Sequence, residues 1–181
     1  MKRLFFCFII SVIFMSDLFS DQPIFDENLC ANNEEVVLSF KMRNSSKTLS
    51  ILTAKDYSYI VYRFGTRDNV ELEFPQNKID SWKKFTLYID SYIRASCNYR
   101  LSFINGNYRY DILEEFMSED GRYQNYKVGV RVINISTNTQ TFLEGVFDSR
   151  IGRLSGLDNR YFDLPRYGDL RILKVIETEY E

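Results

Sequence analysis

The dipeptide Asn105-Gly106, set between two runs of alternating residues, constrains the fold most. Asn-Gly favours a two-residue hairpin turn, because both central positions of that turn need a positive φ. We expect Ile104 to lie opposite Asn107. In that register the apolar pairs are Phe103 with Tyr108, Leu101 with Tyr110 and Tyr99 with Ile112, and the polar pairs are Arg100 with Asp111 and Ser102 with Arg109. The sequence therefore predicts a hairpin with one apolar face and one charged face.

The same alternation recurs along most of the chain after Glu35. Apolar residues repeat at every second position within residues 36–42, 60–64, 70–74 and 126–132, and turn residues separate these runs. A last strand or a short helix is predicted within residues 170–176. About eight to ten strands at this spacing predict a mainly all-β fold, an antiparallel meander that closes as a barrel or a sandwich.

Residues 1–20 have the pattern of an export signal peptide. The charged start Met1-Lys2-Arg3 precedes an apolar run, and the small Ser20 precedes Asp21. The run is shorter than the ~20 apolar residues that a membrane-spanning helix needs. We therefore predict cleavage after residue 20, one β-rich domain at residues 21–181, no transmembrane segment after cleavage, and a periplasmic or extracellular location.

Export would leave two cysteines, Cys30 and Cys97, in the mature chain. An even number of cysteines in an oxidising compartment favours a disulfide bridge, and Cys30–Cys97 is the predicted pair. Two buried, unpaired thiols are the alternative, because the distance between the residues cannot be read from the sequence.

Composition excludes several classes of function. The chain has no histidine, which removes Ser-His-Asp and Cys-His nucleophiles and histidine-based metal sites. A net charge of −2 without blocks of Lys and Arg argues against nucleic-acid binding. The sequence predicts no cofactor, no metal site and no catalytic residues.

In the absence of histidine, pairs of carboxylates are the remaining candidate groups for acid–base catalysis. Glu71 and Glu73 would point to the same face of one strand. The alternative is a solvated strand face on which Arg63 lies opposite Glu71 as an ordinary cross-strand ion pair.

An acidic, polar segment at residues 114–125 is predicted to be a long loop and is the first candidate binding element. Aromatic residues are also abundant, with 13 Tyr and 15 Phe, and tyrosine is enriched at binding surfaces. For each aromatic residue, core packing is the alternative. The candidate binding residues are Glu114, Glu115, Glu119, Asp120, Tyr123, Tyr126 and Trp82.

Three motifs in combination, YRFG at residues 62–65, VELEFP at 70–75 and LSFINGNYRY at 101–110, resemble a family of small exported bacterial β-rich proteins of unknown function. The resemblance covers residues 36–135, implies a location in the bacterial envelope, and supplies no activity. In architecture alone, the chain is similar to periplasmic lysozyme inhibitors and immunity proteins.

These observations favour a non-catalytic domain that binds another envelope or secreted protein, as an inhibitor that inserts residues 114–125 into a cleft. The alternative is a carrier of a small ligand or glycan. A hydrolase that uses two carboxylates is the third hypothesis.

Overall fold

The computed structural model describes residues 25–92, 96–119, 122–157 and 173–180. Within these ranges the strands are β1 (Glu34–Lys41), β2 (Thr48–Ala54), β3 (Ile60–Thr66), β4 (Asn69–Phe74), β5 (Phe85–Tyr92), β6 (Ser96–Asn105), β7 (Tyr108–Glu119), β8 (Arg122–Asn134), β9 (Gln140–Glu144), β10 (Ile151–Gly152) and β11 (Lys174–Tyr180). The helices are short 3-10 turns at Ser81–Lys84, Phe147–Ser149 and Leu154–Leu157. The predicted all-β fold is confirmed.

The strands form a sandwich of two sheets and no closed barrel. One sheet has five strands in the order β10-β1-β2-β3-β4, and the other has six in the order β11-β5-β6-β7-β8-β9. Most neighbours are antiparallel, but β11 pairs with β5 in parallel. The predicted antiparallel meander is wrong at this edge, because only strands joined by a short hairpin must run in opposite directions.

The core lies between the sheets and follows the predicted alternation. Leu38, Phe40 and Met42 are buried in it, as predicted. Val36 does not continue this row, because a bulge between Val36 and Leu38 inserts one residue and turns Val37 toward the core instead.

The Asn-Gly hairpin forms as β6 and β7, but its register differs from the prediction. Asn105 pairs with Tyr108, so Gly106 and Asn107 are the central turn residues, and Gly106 has a φ of 58°. Each residue of β6 therefore pairs with a β7 residue two positions later than predicted. The shift changes the cross-strand neighbour but keeps every side chain on its predicted face. The observed register stacks the rings of Phe103 and Tyr110 at 4.8 Å.

The predicted loop at residues 114–125 is wrong. These residues continue β7 and β8, which pair from Tyr108–Asn134 out to Glu119–Arg122. Acidic composition suggested a loop, but cross-strand pairs such as Phe116 with Tyr126 and Glu115 with Lys127 favour a hairpin.

The predicted signal peptide at residues 1–20 lies outside the described residues. Among the residues that are described, there is no helix long and apolar enough to cross a membrane.

Candidate functional site

The outer part of the β7–β8 hairpin is the main candidate binding element. We call residues 115–119 and 122–127 the β7–β8 arm. The β6 ladder along β7 ends at Tyr99–Glu114, and the β9 ladder along β8 ends at Gly129–Glu144. In the described parts of the chain, the strands of the arm pair only with each other. At about 3.4 Å per residue, the five residues from 115 to 119 carry β7 about 17 Å beyond its last pair with β6 at Glu114.

The separation of β6 from β7 is stabilised by a side chain. The amide of Phe116 donates a hydrogen bond of 3.2 Å to the Asn98 Oδ1 atom. This bond satisfies a backbone donor at the position where the main-chain ladder ends. The arm therefore leaves the sheet without an unpaired amide at its base.

Glu114 anchors the base of the arm. Its carboxylate is fully buried and accepts hydrogen bonds from the Arg150 guanidinium and, at 2.6 Å, from the Leu154 amide. Burial raises the pKa of Glu114, while the Leu154 amide and Arg150 oppose that shift. The hydrogen bonds connect the arm to the segment that follows β9, so the base has a fixed geometry.

Aromatic rings and two arginines complete the base. The Phe116 and Tyr126 rings meet edge to face at 5.2 Å, and Tyr126 stacks on Phe147 at 4.6 Å. The Arg150 guanidinium carbon lies 4.7 Å from the centroid of the Phe147 ring, and that of Arg153 lies 5.8 Å from Phe116. Cation–π and ring contacts of this kind hold the rings in place.

The structure distributes the predicted binding residues unevenly over this site. Tyr126 is 37% exposed at the base of the arm, and Glu115 is half-buried beside it. Glu119 and Tyr123 lie on the arm strands, but their side chains are outside the described ones, as is the whole of Asp120.

Two of the predicted binding residues are in the interior, which corrects the prediction for them. Glu114 is buried as an anchor instead of lying in an exposed acidic loop. Trp82 is 4% exposed, and its indole Nε1–H donates a 3.0 Å hydrogen bond to the Tyr57 carbonyl. Its large apolar ring packs in the core between the sheets, so it contributes no binding surface.

The predicted bridge between Cys30 and Cys97 is not present, because Cys30 is a free thiol. Cys30 precedes β1 of the five-stranded sheet, whereas Cys97 belongs to β6 of the other sheet, and the side chain of Cys97 is outside the described ones. Burial, together with the nearby Asp26 and Glu34 carboxylates, raises the pKa of Cys30 to about 11.

Sequence reasoning missed a buried ion network on the outer face of the five-stranded sheet. Arg63 is 1% exposed and donates hydrogen bonds to both oxygens of the Glu34 carboxylate. It also donates to Glu73 Oε2 at 2.6 Å and to the Leu29 carbonyl at 2.9 Å. The hydrogen bond to the Leu29 carbonyl holds the segment of residues 25–33 against this sheet.

The network also explains the state of Glu34. Burial opposes ionisation, but hydrogen bonds from Arg63, the Ala31 amide and the Tyr59 hydroxyl outweigh it, so the pKa of Glu34 is lowered. One feature of the sequence could have indicated this network. Val61 is apolar and lies on the same strand face as Arg63, which was predicted to be solvated, and an apolar residue there indicates that this face is covered too.

The predicted pair of Arg63 with Glu71 is also wrong. Arg63 lies opposite Glu73, and Glu71 instead accepts a 2.8 Å hydrogen bond from Lys47. Each of the two carboxylates therefore accepts a hydrogen bond from its own cation.

Over the described residues, there is no cluster of three or more His, Cys, Asp or Glu side chains that could hold a metal ion. Compared with protein-family models, with curated proteins and with solved structures, the chain matches none.

Proposed function

We propose that this chain is an exported, non-catalytic domain that binds another envelope or secreted protein by inserting the β7–β8 arm into a cleft of that partner. The observation that carries the proposal is the arm itself, a two-stranded ribbon that continues past the ends of the ladders with both neighbouring strands. An inhibitor of an envelope hydrolase is the form of this function that we favour.

The construction of the arm suits insertion. Its two strands pair with each other, so their inward-pointing backbone groups are hydrogen-bonded within the ribbon, and the arm can enter a cleft with fewer unpaired amides than an irregular loop would carry. A rigid element also loses less conformational entropy on binding than a flexible one. The Glu114 anchor and the rings at the base supply that rigidity.

The chemistry of the arm favours a polar cleft. The sequence from residue 115 to residue 127 contains three acidic residues, Glu115, Glu119 and Asp120, and two basic ones, Arg122 and Lys127. Charges of both signs at short spacing give specificity and orientation more than affinity. Tyr126 adds a half-exposed aromatic surface at the base, of the kind that protein interfaces favour.

Site-specific photocrosslinking tests the proposal. A benzophenone amino acid replaces Tyr123 in the arm of the full chain, and a control chain carries it at Ile79, which is 74% exposed and lies outside the arm. The proposal predicts one dominant protein adduct from the arm position and none of that species from Ile79. Equal adducts from both positions, or no adduct from the arm, would contradict it.

A further inference from the structure

A second candidate site lies on the outer face of the six-stranded sheet. A pocket of about 480 Å³ opens there, and its lining includes Lys84, Thr86, Tyr88, Ser102, Ile104 and Arg109. The core-facing residues of β5 and β6 are Phe85, Leu87, Leu101 and Phe103. The alternate residues Thr86, Tyr88, Ser102 and Ile104 therefore face away from the core. A volume of this size is in the range of small-molecule sites.

Cations dominate this pocket although the chain as a whole has a net charge of −2. Lys84 and Arg109 line it, and Arg100 lies on the same sheet face, on the strand beside Tyr88. Asp111 forms ion pairs with Arg100 and Arg109, and its side chain is fully buried; the residues that line the pocket include no carboxylate. The accessible charge of the pocket is therefore positive.

Asp111 holds the two arginines in position. Its Oδ1 atom lies 3.2 Å from Arg109 Nε, and its Oδ2 atom lies 3.7 Å from Arg100 Nη1. Each guanidinium has five N–H donors, so this contact leaves several of them for another acceptor. The Arg109 side chain is 45% exposed, which keeps those donors within reach of a ligand. A positioned guanidinium is well suited to bind carboxylate or phosphate.

Asp111 is also incompletely satisfied. Its Oδ1 atom accepts a 2.7 Å hydrogen bond from the Ser102 hydroxyl, but its buried Oδ2 atom has no hydrogen-bond partner. The buried Arg63 network of the other sheet, by contrast, engages both oxygens of Glu34. Asp111 therefore neutralises its two arginines less completely than Glu34 neutralises Arg63.

Apolar surface lies beside the cations. Ile104 is 57% exposed, and Phe74 and Phe103 also line the pocket. The Arg100 guanidinium carbon lies 4.0 Å from the centroid of the Tyr88 ring, so the guanidinium packs over this ring and holds it in place. A ligand that fits this surface combines an anionic group with a flat apolar body.

We propose that this pocket binds a small organic anion, in which a carboxylate or a phosphate group on a flat apolar ring meets Lys84 and Arg109. The site is separate from the β7–β8 arm, and the proposal is independent of the proposed function. The anion lies against the two cations, and the ring lies against Ile104 and Tyr88.

Three matched probes test the proposal on the full chain by isothermal titration calorimetry. The probes are 2-naphthoate, 2-naphthyl phosphate and the neutral 2-naphthamide. We expect at least one anion to bind about tenfold or more tightly than the amide, and the stronger of the two identifies the anionic group. Equal binding of all three, or no binding of either anion at millimolar concentration, would overturn the proposal.

A pair of neighbouring lysines provides the control. Lys84 lines the pocket, whereas Lys83 is ion-paired with Asp80 at 2.8 Å outside it. Lys84→Gln should weaken binding of the favoured anion about three- to tenfold, and Lys83→Gln should leave it unchanged. An equal loss in both variants would show non-specific attraction and overturn the assignment. Unchanged melting temperatures verify that both variants are folded.

Discussion

Replacing Arg63 by methionine should destabilise this protein more than any surface substitution, because it removes the buried cation that binds both oxygens of Glu34 and leaves that carboxylate only the partly exposed Lys78 ammonium at 3.6 Å. The Glu34 side chain is 0% exposed and that of Arg63 is 2% exposed. Removing one partner of such a buried pair costs about 3–5 kcal/mol. For a chain of this size, a change of 1 kcal/mol shifts the melting temperature by about 2–4 °C, so we expect Arg63→Met to lower it by about 6–20 °C.

Lys47→Met is the matched control. Lys47 and Glu71 form an ion pair of 2.8 Å in the same sheet, but their side chains are 36% and 38% exposed. An exposed pair contributes about 0–1 kcal/mol. Urea denaturation of both variants gives the difference in the free energy of unfolding directly.

The double variant Arg63→Met/Glu34→Gln tests the cause. It removes the buried negative charge as well, so it should be more stable than Arg63→Met alone at neutral pH. Equal costs for Arg63→Met and Lys47→Met, or no recovery in the double variant, would refute the reasoning that burial of an uncompensated charge sets the cost.

Three further outcomes are expected. The pKa of Glu34 is lowered from its ordinary value of 4.5, so its ionised form stabilises the fold above that pH. This contribution is lost as the pH falls through the lower folded-state pKa. Denaturation of Glu34→Gln should therefore show a smaller loss of unfolding free energy over that acidic range than the wild type, and identical pH profiles would count against this expectation. Because burial raises the pKa of Cys30 to about 11, iodoacetamide at neutral pH should modify it much more slowly in the folded protein than in urea, as peptide mass spectrometry can measure. Glu114→Ala leaves the Arg150 guanidinium and the Leu154 amide without their acceptor, at a cost of about 1–3 kcal/mol, and should speed amide hydrogen exchange in the arm. Glu115→Ala is its control, since that half-buried side chain is not an anchor, and equal protection of the arm in both variants would contradict the anchor role.

Local pattern was enough to predict many of the strands and the faces they present. In the β6–β7 hairpin, for example, period-two alternation placed Leu101, Phe103 and Tyr110 on the core side, where the structure has them. The exact partners were not predictable, because a shift of two residues keeps each face unchanged. The pairing of Ser102 with Asp111 depends on a buried hydrogen bond that alternation does not encode.

Contacts between distant segments could not be predicted from the sequence. Arg150 and Glu114 are 36 positions apart, and Arg63 and Glu34 are 29 apart, so neither pair has a sequence period that would reveal it. Acidic composition therefore suggested solvent exposure for Glu114, whereas tertiary hydrogen bonds allow it to be buried. The same limit applies to Trp82, whose indole N–H has its acceptor 25 positions away.

The most direct test of the account is the affinity of the partner captured by crosslinking for two triply neutralised variants. One variant is Glu115→Gln/Glu119→Gln/Asp120→Asn, within residues 115–127. The other, Glu27→Gln/Glu35→Gln/Asp68→Asn, makes the same change in charge at exposed positions elsewhere. The account predicts that the arm variant binds about tenfold or more weakly while the control binds like the wild type, both with nearly unchanged melting temperatures. Equal affinities for the two variants would contradict the claim that the arm carries binding.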